Sequence, residues 1–569
     1  MTSPPPLLPP VQSRLTVLGR WRAALASDPA VRRALGWLAP TLLTLFAALL
    51  RLANLDHPHE LAFDETYYVK DAWSLWLLGY EGTWSDGANA AFNAGDADAI
   101  ASALDPKGSF VVHPPLGKWL IALGMALTGP TSSFGWRVSV AVLGSLSVLV
   151  VFLIAKALTR SLIAASIAGF LLAIDGLGIV MSRTALLDGI LTFFILLGFL
   201  FVLYDGRRTI PRIAAGMPDE PQPFTGPVTL RHLGRLANGA AMSPGRTVIW
   251  TEKTAPAAPR EHPAPPSELI AYNAPIFWRR PWLVAAGVML GAACAVKWSG
   301  LYALAAFGLW VVVSDALARR RAGILLWPTD AVLRQGPVSF VLVVGPALLT
   351  YLLTWTGWFV TSGGYARGNF ANPFTALVYY HSSILGFHSG LSSSHPYASP
   401  AWQWPLLLRP TAVWVDKQPN TCGTDNCISV VSTIPNPLLW YGGVVAVLYL
   451  VYRITRGLIE RAPVSWVYSA PLVGIAATYL PWLFLPNRTI FQFYTVAIMP
   501  FLVLALVLAL RDLAGRRDDP LSRRQAGERT VIVILVGITL VSVFFYPVWT
   551  GMSVPYEFWL IHNWLPGWI

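Results

Sequence analysis

An all-helical protein that crosses a membrane many times is what this sequence predicts, on three observations. Of its 569 residues 55% are hydrophobic and 12% charged, with a mean hydropathy of +0.54, too apolar for a soluble chain. Eleven apolar runs recur along it, each near the ~20 residues that a helix needs to cross a bilayer. Lys and Arg gather in short stretches between alternate runs, as they do in cytoplasmic loops. The net charge of +12 therefore belongs to membrane topology. No separate basic domain stands out, so nucleic acid is not expected as a partner. The 25 Trp residues suit bilayer interfaces, where the ring is apolar and its N–H stays wet.

Residues 1–37 form a cytoplasmic tail carrying Arg14, Arg20, Arg22, Arg32 and Arg33. The first run, 38–54, has no small-residue cleavage site and reads as a retained signal anchor with the N-terminus inside. Further spans are expected at 137–157, 163–180, 188–204, 281–297, 300–316, 337–356, 437–453, 467–485, 490–510 and 530–548. A twelfth apolar run, 116–129, is short and bounded by Pro114–Pro115 and Gly129–Pro130. Counting it as a span would place every later basic cluster outside, so it is assigned to the interface.

This topology leaves three stretches and the C-terminus outside: 55–136, 181–187 and 357–436. The first is acidic, with ten Asp or Glu against two Lys between Leu55 and Pro115. Inside, 205–280 is rich in Pro and Ala ("TAPAAPREHPAPPSE"), a composition that buries no core and reads as a linker. Cys294 lies in an apolar run as a small core residue. Cys422 and Cys427 share a polar loop and suit a short disulfide if that loop faces an oxidising compartment.

Polar groups collect at the outer face. They are Asp64 and Glu65 in "LAFDETYYVKDAW", His113, Arg183 and Asp188 in "SRTALLDG", Lys297 in "AVKWSG", the loop histidines His381, His388 and His395, and Arg488. Ionisable groups at such depths are costly and are usually paired or functional. Plainer readings stand beside the functional one. Lys297 and Arg488 can snorkel to the interface, Arg183 and Asp188 can pair across a turn, and the histidines can be surface residues. Asp64–Glu65 can open the helix that follows as cap and first-turn acid. The functional reading is a site where cations hold a lipid phosphate and a carboxylate takes a proton from an incoming hydroxyl.

The motifs "FDETYYVKDA", "HPPLGKWLIALG", "SRTALLDGILTFF", "AVKWSGLY", "HPYASPAWQWPL", "NPLLWYGG" and "FQFYTVAIMPF" follow one another over almost the whole chain after the tail. In this order they resemble the dolichyl-phosphate-mannose–protein mannosyltransferases (protein O-mannosyltransferases) of the GT-C glycosyltransferase superfamily. The likeness is to the bacterial form, since 357–436 leaves no room for the β-trefoil module of eukaryotic members. The resemblance implies a GT-C fold of about eleven transmembrane helices, with juxtamembrane helices at 66–80 and 116–129, and a catalytic domain over 38–569. It implies inverting transfer of mannose from polyprenyl-phosphate-mannose to Ser or Thr hydroxyls of a secreted or membrane polypeptide. The place is the outer face of a bacterial plasma membrane, with the C-terminus also outside.

Carried over, Asp64 is the base and Glu65 positions the acceptor. Lys297, Arg183 and Arg488 are phosphate candidates, with Asp188 orienting Arg183. His113, His381, His388 and His395 are candidates for donor or acceptor contact. The wider superfamily often holds a divalent cation (Mg or Mn) at an acidic motif. Here the pair is Asp-Glu and not Asp-x-Asp, so no obligatory metal is expected. The nearest alternative is a GT-C enzyme that uses the same donor on a lipid or glycan. A transporter fits poorly, because no internal repeat appears and the polar groups lie at one face.

Overall fold

The computed structural model describes residues 16, 19, 27–215, 273–462, 464–516 and 518–569. Most of the cytoplasmic tail and residues 216–272 of the expected linker lie outside the described residues. Helix stands at each of the eleven apolar runs. In chain order the helices used below are α1 (Pro29–Leu52), α2 (Glu65–Leu78), α3 (Leu116–Thr128), α4 (Ser133–Thr159), α5 (Leu162–Ala173), α6 (Gly176–Arg183) and α7 (Leu187–Ala215). They continue with α8 (Pro281–Val296), α9 (Gly300–Arg321), α10 (Gly336–Thr354), α11 (Pro373–Gly390), α12 (Pro437–Ile459), α13 (Ser469–Leu483), α14 (Met499–Leu513) and α15 (Leu521–Thr550).

Among the described residues, seven helices are long and apolar enough to cross a membrane, or eight if the bent pair α5–α6 counts as one span. Three of the expected spans fall short: α8, α13 and α14 have 16, 15 and 15 residues. Helix length alone therefore does not carry the count to eleven. α1 begins at Pro29, earlier than the apolar run, because Asp28 caps it through the Ala30 N–H at 2.7 Å. α7 runs on to Ala215, so the first residues of the expected linker continue the helix. α2 and α3 stand at the two stretches from which juxtamembrane helices are expected.

Burial separates core helices from lipid-facing ones. Only 17% of the apolar stretch of α1 is buried, against 72% of that of α7. α14 buries almost every residue from Met499 to Leu510, so a sequence hydrophobic on all sides has become a central helix. Two small sheets lie in the connections. One pairs Gly82–Trp84 (β1) with Leu104–Gly108 (β2). The other places Cys427–Ser432 (β4) between Ala412–Asp416 (β3) and Val554–Pro555 (β5), all antiparallel. Cys422 and Cys427 are joined as a disulfide at its edge.

The break between α5 and α6, a 58° bend, matters most for the site. Its freed backbone groups must find partners inside the bundle. Arg51 donates to the carbonyls of Leu172 and Ala173 (3.2 and 3.1 Å), Ser542 donates to Ile174 O (2.8 Å), and Asp175 accepts from the Gly178 N–H (2.8 Å). Fixed in this way, α6 delivers the turn at 184–186 to α2.

Candidate active site

Asp64 and Glu65 are neighbours with opposite surroundings. Glu65 is fully buried and its carboxylate is saturated. Arg137 donates through Nε (2.8 Å) and Nη2 (2.7 Å), and the N–H groups of Ala62 and Ala185 donate at 2.8 and 2.6 Å. Arg137 spends its remaining donors on the carbonyls of Leu55, Pro58 and Glu60. No acceptor capacity is left on Glu65 for a substrate, so the expected clamp on the acceptor is an internal anchor that fixes the loop before α2 to α4 and α6.

Asp64 occupies the N-cap position of α2, yet its side chain makes no capping bond, and no described residue hydrogen-bonds its carboxylate. The preceding Phe63 has φ +50°, an uncommon conformation for a non-glycine residue. Its ring is wedged against His395, Phe491 and Phe493, with centroids 5.8, 5.5 and 5.6 Å away. Low-dielectric surroundings push Asp64 up to about 6, against the pull of the nearby Lys297 ammonium and with a small push from Asp188.

Lys297 follows the last residue of α8. Its ammonium holds both oxygens of Asp188, at 2.9 and 3.0 Å, and lies 4.2 Å from the centroid of the Tyr494 ring. Asp188 therefore partners Lys297 and not Arg183, the residue five positions before it. Arg183 donates to the carbonyls of Arg51, Ala53 and Asn54, at 3.0, 2.6 and 2.7 Å, and closes the C-terminus of α1. It is committed to backbone, away from a phosphate role.

Arg488 and the histidines complete the cluster. Arg488 lies over Trp482 and donates through Nη2 to His388 Nδ1 (3.1 Å), while its Nε is buried without a partner among the described residues. His388 Nδ1 is thus an acceptor, which leaves the proton on Nε2 to donate to Val112 O (2.9 Å). Burial and the Arg488 charge push this imidazole down to about 4, so it stays neutral. His113 stacks on His388 at 5.4 Å, and its Nδ1 is buried with no partner among the described residues. Burial and then Lys297 hold His113 well below the usual histidine range.

Lys118 fixes this loop, donating to His113 O (2.9 Å) and pairing with Glu81. His395 accepts from the Tyr397 N–H through Nδ1 (3.1 Å), and its ring packs edge-on against Phe63. His381 has both ring nitrogens engaged, with Leu377 O (2.8 Å) and the Tyr351 hydroxyl (2.6 Å). It supports the Trp298 wall without an open nitrogen.

Asp64, Lys297, Asp188, His113, His388 and Arg488 are therefore brought together, and His395 lies at the rim. Sequence reasoning missed Arg137, Tyr68 and Tyr494. An arginine in the first turn of an apolar span is a signal that could have found Arg137. Tyr68, four residues after Asp64 on α2, shares its face. Tyr494 lies within "FQFYTVAIMPF", where its spacing does not set it apart from the neighbouring aromatics. Among the described residues no three His, Cys, Asp or Glu converge as a metal site. The arrangement offers a carboxylate beside the Lys297 ammonium, with Arg488 held near His388 and Tyr494 in the same cluster, suited to proton abstraction beside a departing anion.

Two family models match the chain. "Dolichyl-phosphate-mannose-protein mannosyltransferase" covers residues 104–210, and "C-terminal four TMM region of protein-O-mannosyltransferase" covers residues 373–568. The polyprenol-phosphate-mannose–protein mannosyltransferase of Mycolicibacterium smegmatis is 31% identical over 558 residues, 94% of this chain and 93% of that one. Its Corynebacterium glutamicum counterpart is 28% identical over 529 residues, covering 89% and 88%. The S. cerevisiae protein O-mannosyltransferase Pmt1-Pmt2 complex bound to the sugar donor matches at a TM-score of 0.64 and 14% identity, covering 94% of this chain and 92% of that chain.

Proposed function

The chain belongs to the dolichyl-phosphate-mannose–protein mannosyltransferase family, and from that premise we propose that the Asp64 cluster is where the sugar changes hands. The protein is a multi-pass membrane glycosyltransferase with a GT-C fold, and it transfers mannose from a polyprenyl-phosphate donor to protein. In the proposed step a Ser or Thr hydroxyl attacks the anomeric carbon from the face opposite the phosphate. The bond to the sugar forms as the bond to the phosphate oxygen breaks. Asp64 takes the hydroxyl proton, and the phosphate leaves with the bonding pair. One displacement of this kind inverts the anomeric centre.

The observation that carries this reading is Asp64 itself: a carboxylate without a hydrogen-bond partner among the described residues, raised to about 6, beside Lys297. A base poised near working pH is the efficient choice. Lys297 and Arg488 supply charge for the phosphate, and the unpartnered Arg488 Nε and His113 Nδ1 are polar atoms with capacity to spare. Two fixed cations make an obligatory divalent metal unnecessary in this scheme. Full transfer after EDTA treatment is expected. Glu65 acts through Arg137 and Ala185 to hold Asp64 in place.

An apolar cavity of about 460 Å³ lies between α3, α7, α8 and α10, lined by Leu116, Trp119, Phe194, Met289, Leu353 and others. Gly117, next to Leu116, packs on Leu187 and Val296, the residues before Asp188 and Lys297. The cavity is the proposed seat of the first prenyl units. We place the site on the outer side of a bacterial plasma membrane, with acceptors met during secretion. The basic loops, the disulfide and the bacterial relatives support that orientation.

The test uses purified protein, polyprenyl-phosphate mannose labelled in the sugar, and a Ser/Thr-containing peptide. Label is expected on the peptide and lost when Ser and Thr are replaced by Ala. Label on lipid or glycan instead would redirect the acceptor assignment.

A further inference from the structure

The Asp188–Lys297 pair has a counterpart at the far end of the same two helices. Asp205 lies seventeen residues after Asp188 along α7, and Arg280, at the N-cap of α8, lies seventeen residues before Lys297. At 1.5 Å per residue both spacings are about 25 Å. Matched spacings on antiparallel partners let both pairs close in one register only.

The inner pair is the centre of a saturated network. Arg280 Nε donates to both oxygens of Asp205 at 3.2 and 3.1 Å, and its Nη2 also pairs with Asp205. Nη1 donates to Asp315 of α9 (2.7 Å) and to Ser339 of α10 (3.1 Å). Arg319 continues to Asp330 at 2.6 Å. Gln335 grips the backbone of Phe277 from both sides, accepting from its N–H at 2.8 Å and donating to its carbonyl at 3.2 Å. Asp205, Arg280 and Asp315 are all buried.

Between the two ends, α8 meets its neighbours through small and aliphatic surfaces. A Cβ at Gly287 or Gly291 would sit 2.4 Å from the carbonyl oxygen of Val343 or Ala347 on α10, and one at Gly198 would meet Leu290 at 2.7 Å. Such faces allow close approach. In lipid, however, apolar contact alone discriminates poorly between registers. A slip of one turn moves a side chain by about 5.4 Å, enough to separate Lys297 from Asp188. Fixing register is also the best-attested use of buried charge.

We propose that the Arg280–Asp205–Asp315 fork is a register pin for α7 and α8, made of positioning residues that hold Lys297 against Asp188 about 25 Å away and thereby set donor binding. The kinetic part rests on the reading of Lys297 as a phosphate cation.

The experiment uses the full chain in phosphatidylcholine nanodiscs with polyprenyl-phosphate mannose and an acceptor peptide. Asp205→Asn keeps Arg280 paired to Asp315, and Arg280→Lys keeps the charge but loses the fork, so both spare the fold a buried unpaired cation. Each is expected to raise the donor KM about fivefold or more with acceptor KM unchanged. Each is also expected to move the acid limb of kcat/KM to higher pH, because a withdrawn Lys297 no longer favours ionised Asp64. Leu450→Ala, a cavity in α12, is the control: it lowers Tm without either change. Wild-type donor KM and acid limb in both inner variants, beside a defective Lys297→Met, would overturn the pin alone. So would a Leu450→Ala control that reproduces both shifts. Wild-type donor KM in Lys297→Met would overturn the phosphate reading, and the kinetic role of the pin with it.

Discussion

At one end of the α7–α8 pair, Arg280 lays its donors on two carboxylates and a hydroxyl. At the other end Lys297 has one carboxylate and one aromatic face. Asp64 beside it has no hydrogen-bond partner among the described residues. Both ends bury charge at a cost, and they recover it differently. The Arg280 end is fully satisfied and holds structure. The Lys297 end leaves polar capacity unspent, and unspent capacity in a low-dielectric site is what a charged substrate can use. Asp64 and Glu65 repeat the contrast between adjacent residues.

If that contrast is correct, substitutions at open groups cost activity and substitutions at saturated groups cost stability. The largest effect is expected at the base. Asp64→Asn should lower kcat by roughly 10²–10⁴-fold with Tm unchanged or raised. The sign follows from its pKa. The folded protein binds the Asp64 proton more tightly than the unfolded chain, so this group favours folding below about pH 6 and loses that advantage as pH rises through it. Activity runs the opposite way, with an acid limb of kcat/KM near pH 6 and a tenfold fall per unit below it. An acid limb near pH 4 would remove Asp64 from the role.

Arg137→Met comes next, because it leaves the Glu65 carboxylate buried and unpaired. A loss of about 3–5 kcal/mol is expected, seen as a lower Tm at any substrate concentration. Full stability with lost turnover would break the comparison by making Arg137 an open group.

Lys297→Ala should lower kcat/KM for the donor by roughly 10²-fold, the usual cost of one charge-stabilising donor, and leave acceptor KM alone. A change confined to acceptor kinetics would remove it from the phosphate. The smallest effect belongs to the disulfide loop. Cys422→Ser opens a short ring and should cost about 2 kcal/mol with turnover retained.

Much was legible in the sequence because it is local. Apolar runs of sufficient length, basic loops and capping residues at Asp28, Ser132, Ser161 and Asn436 fix where helices start and stop. The Asp-Glu pair, "AVKWSG" and the order of the other motifs carried the family. The membrane class, the helices and the presence of an adjacent Asp-Glu pair needed no tertiary information.

The division of labour among those residues did need it. Asp188 stands five residues from Arg183 but pairs with Lys297, 109 residues away; Glu65 is claimed by Arg137, 72 residues away. Which of two adjacent acids is free, and which of three cations is spent on backbone, depends on what the bundle brings within about 3 Å. Sequence spacing limits only the neighbours along one helix. A charge's partner is chosen by packing between helices, and that choice separates Asp64 as the open group from Glu65 as the closed one.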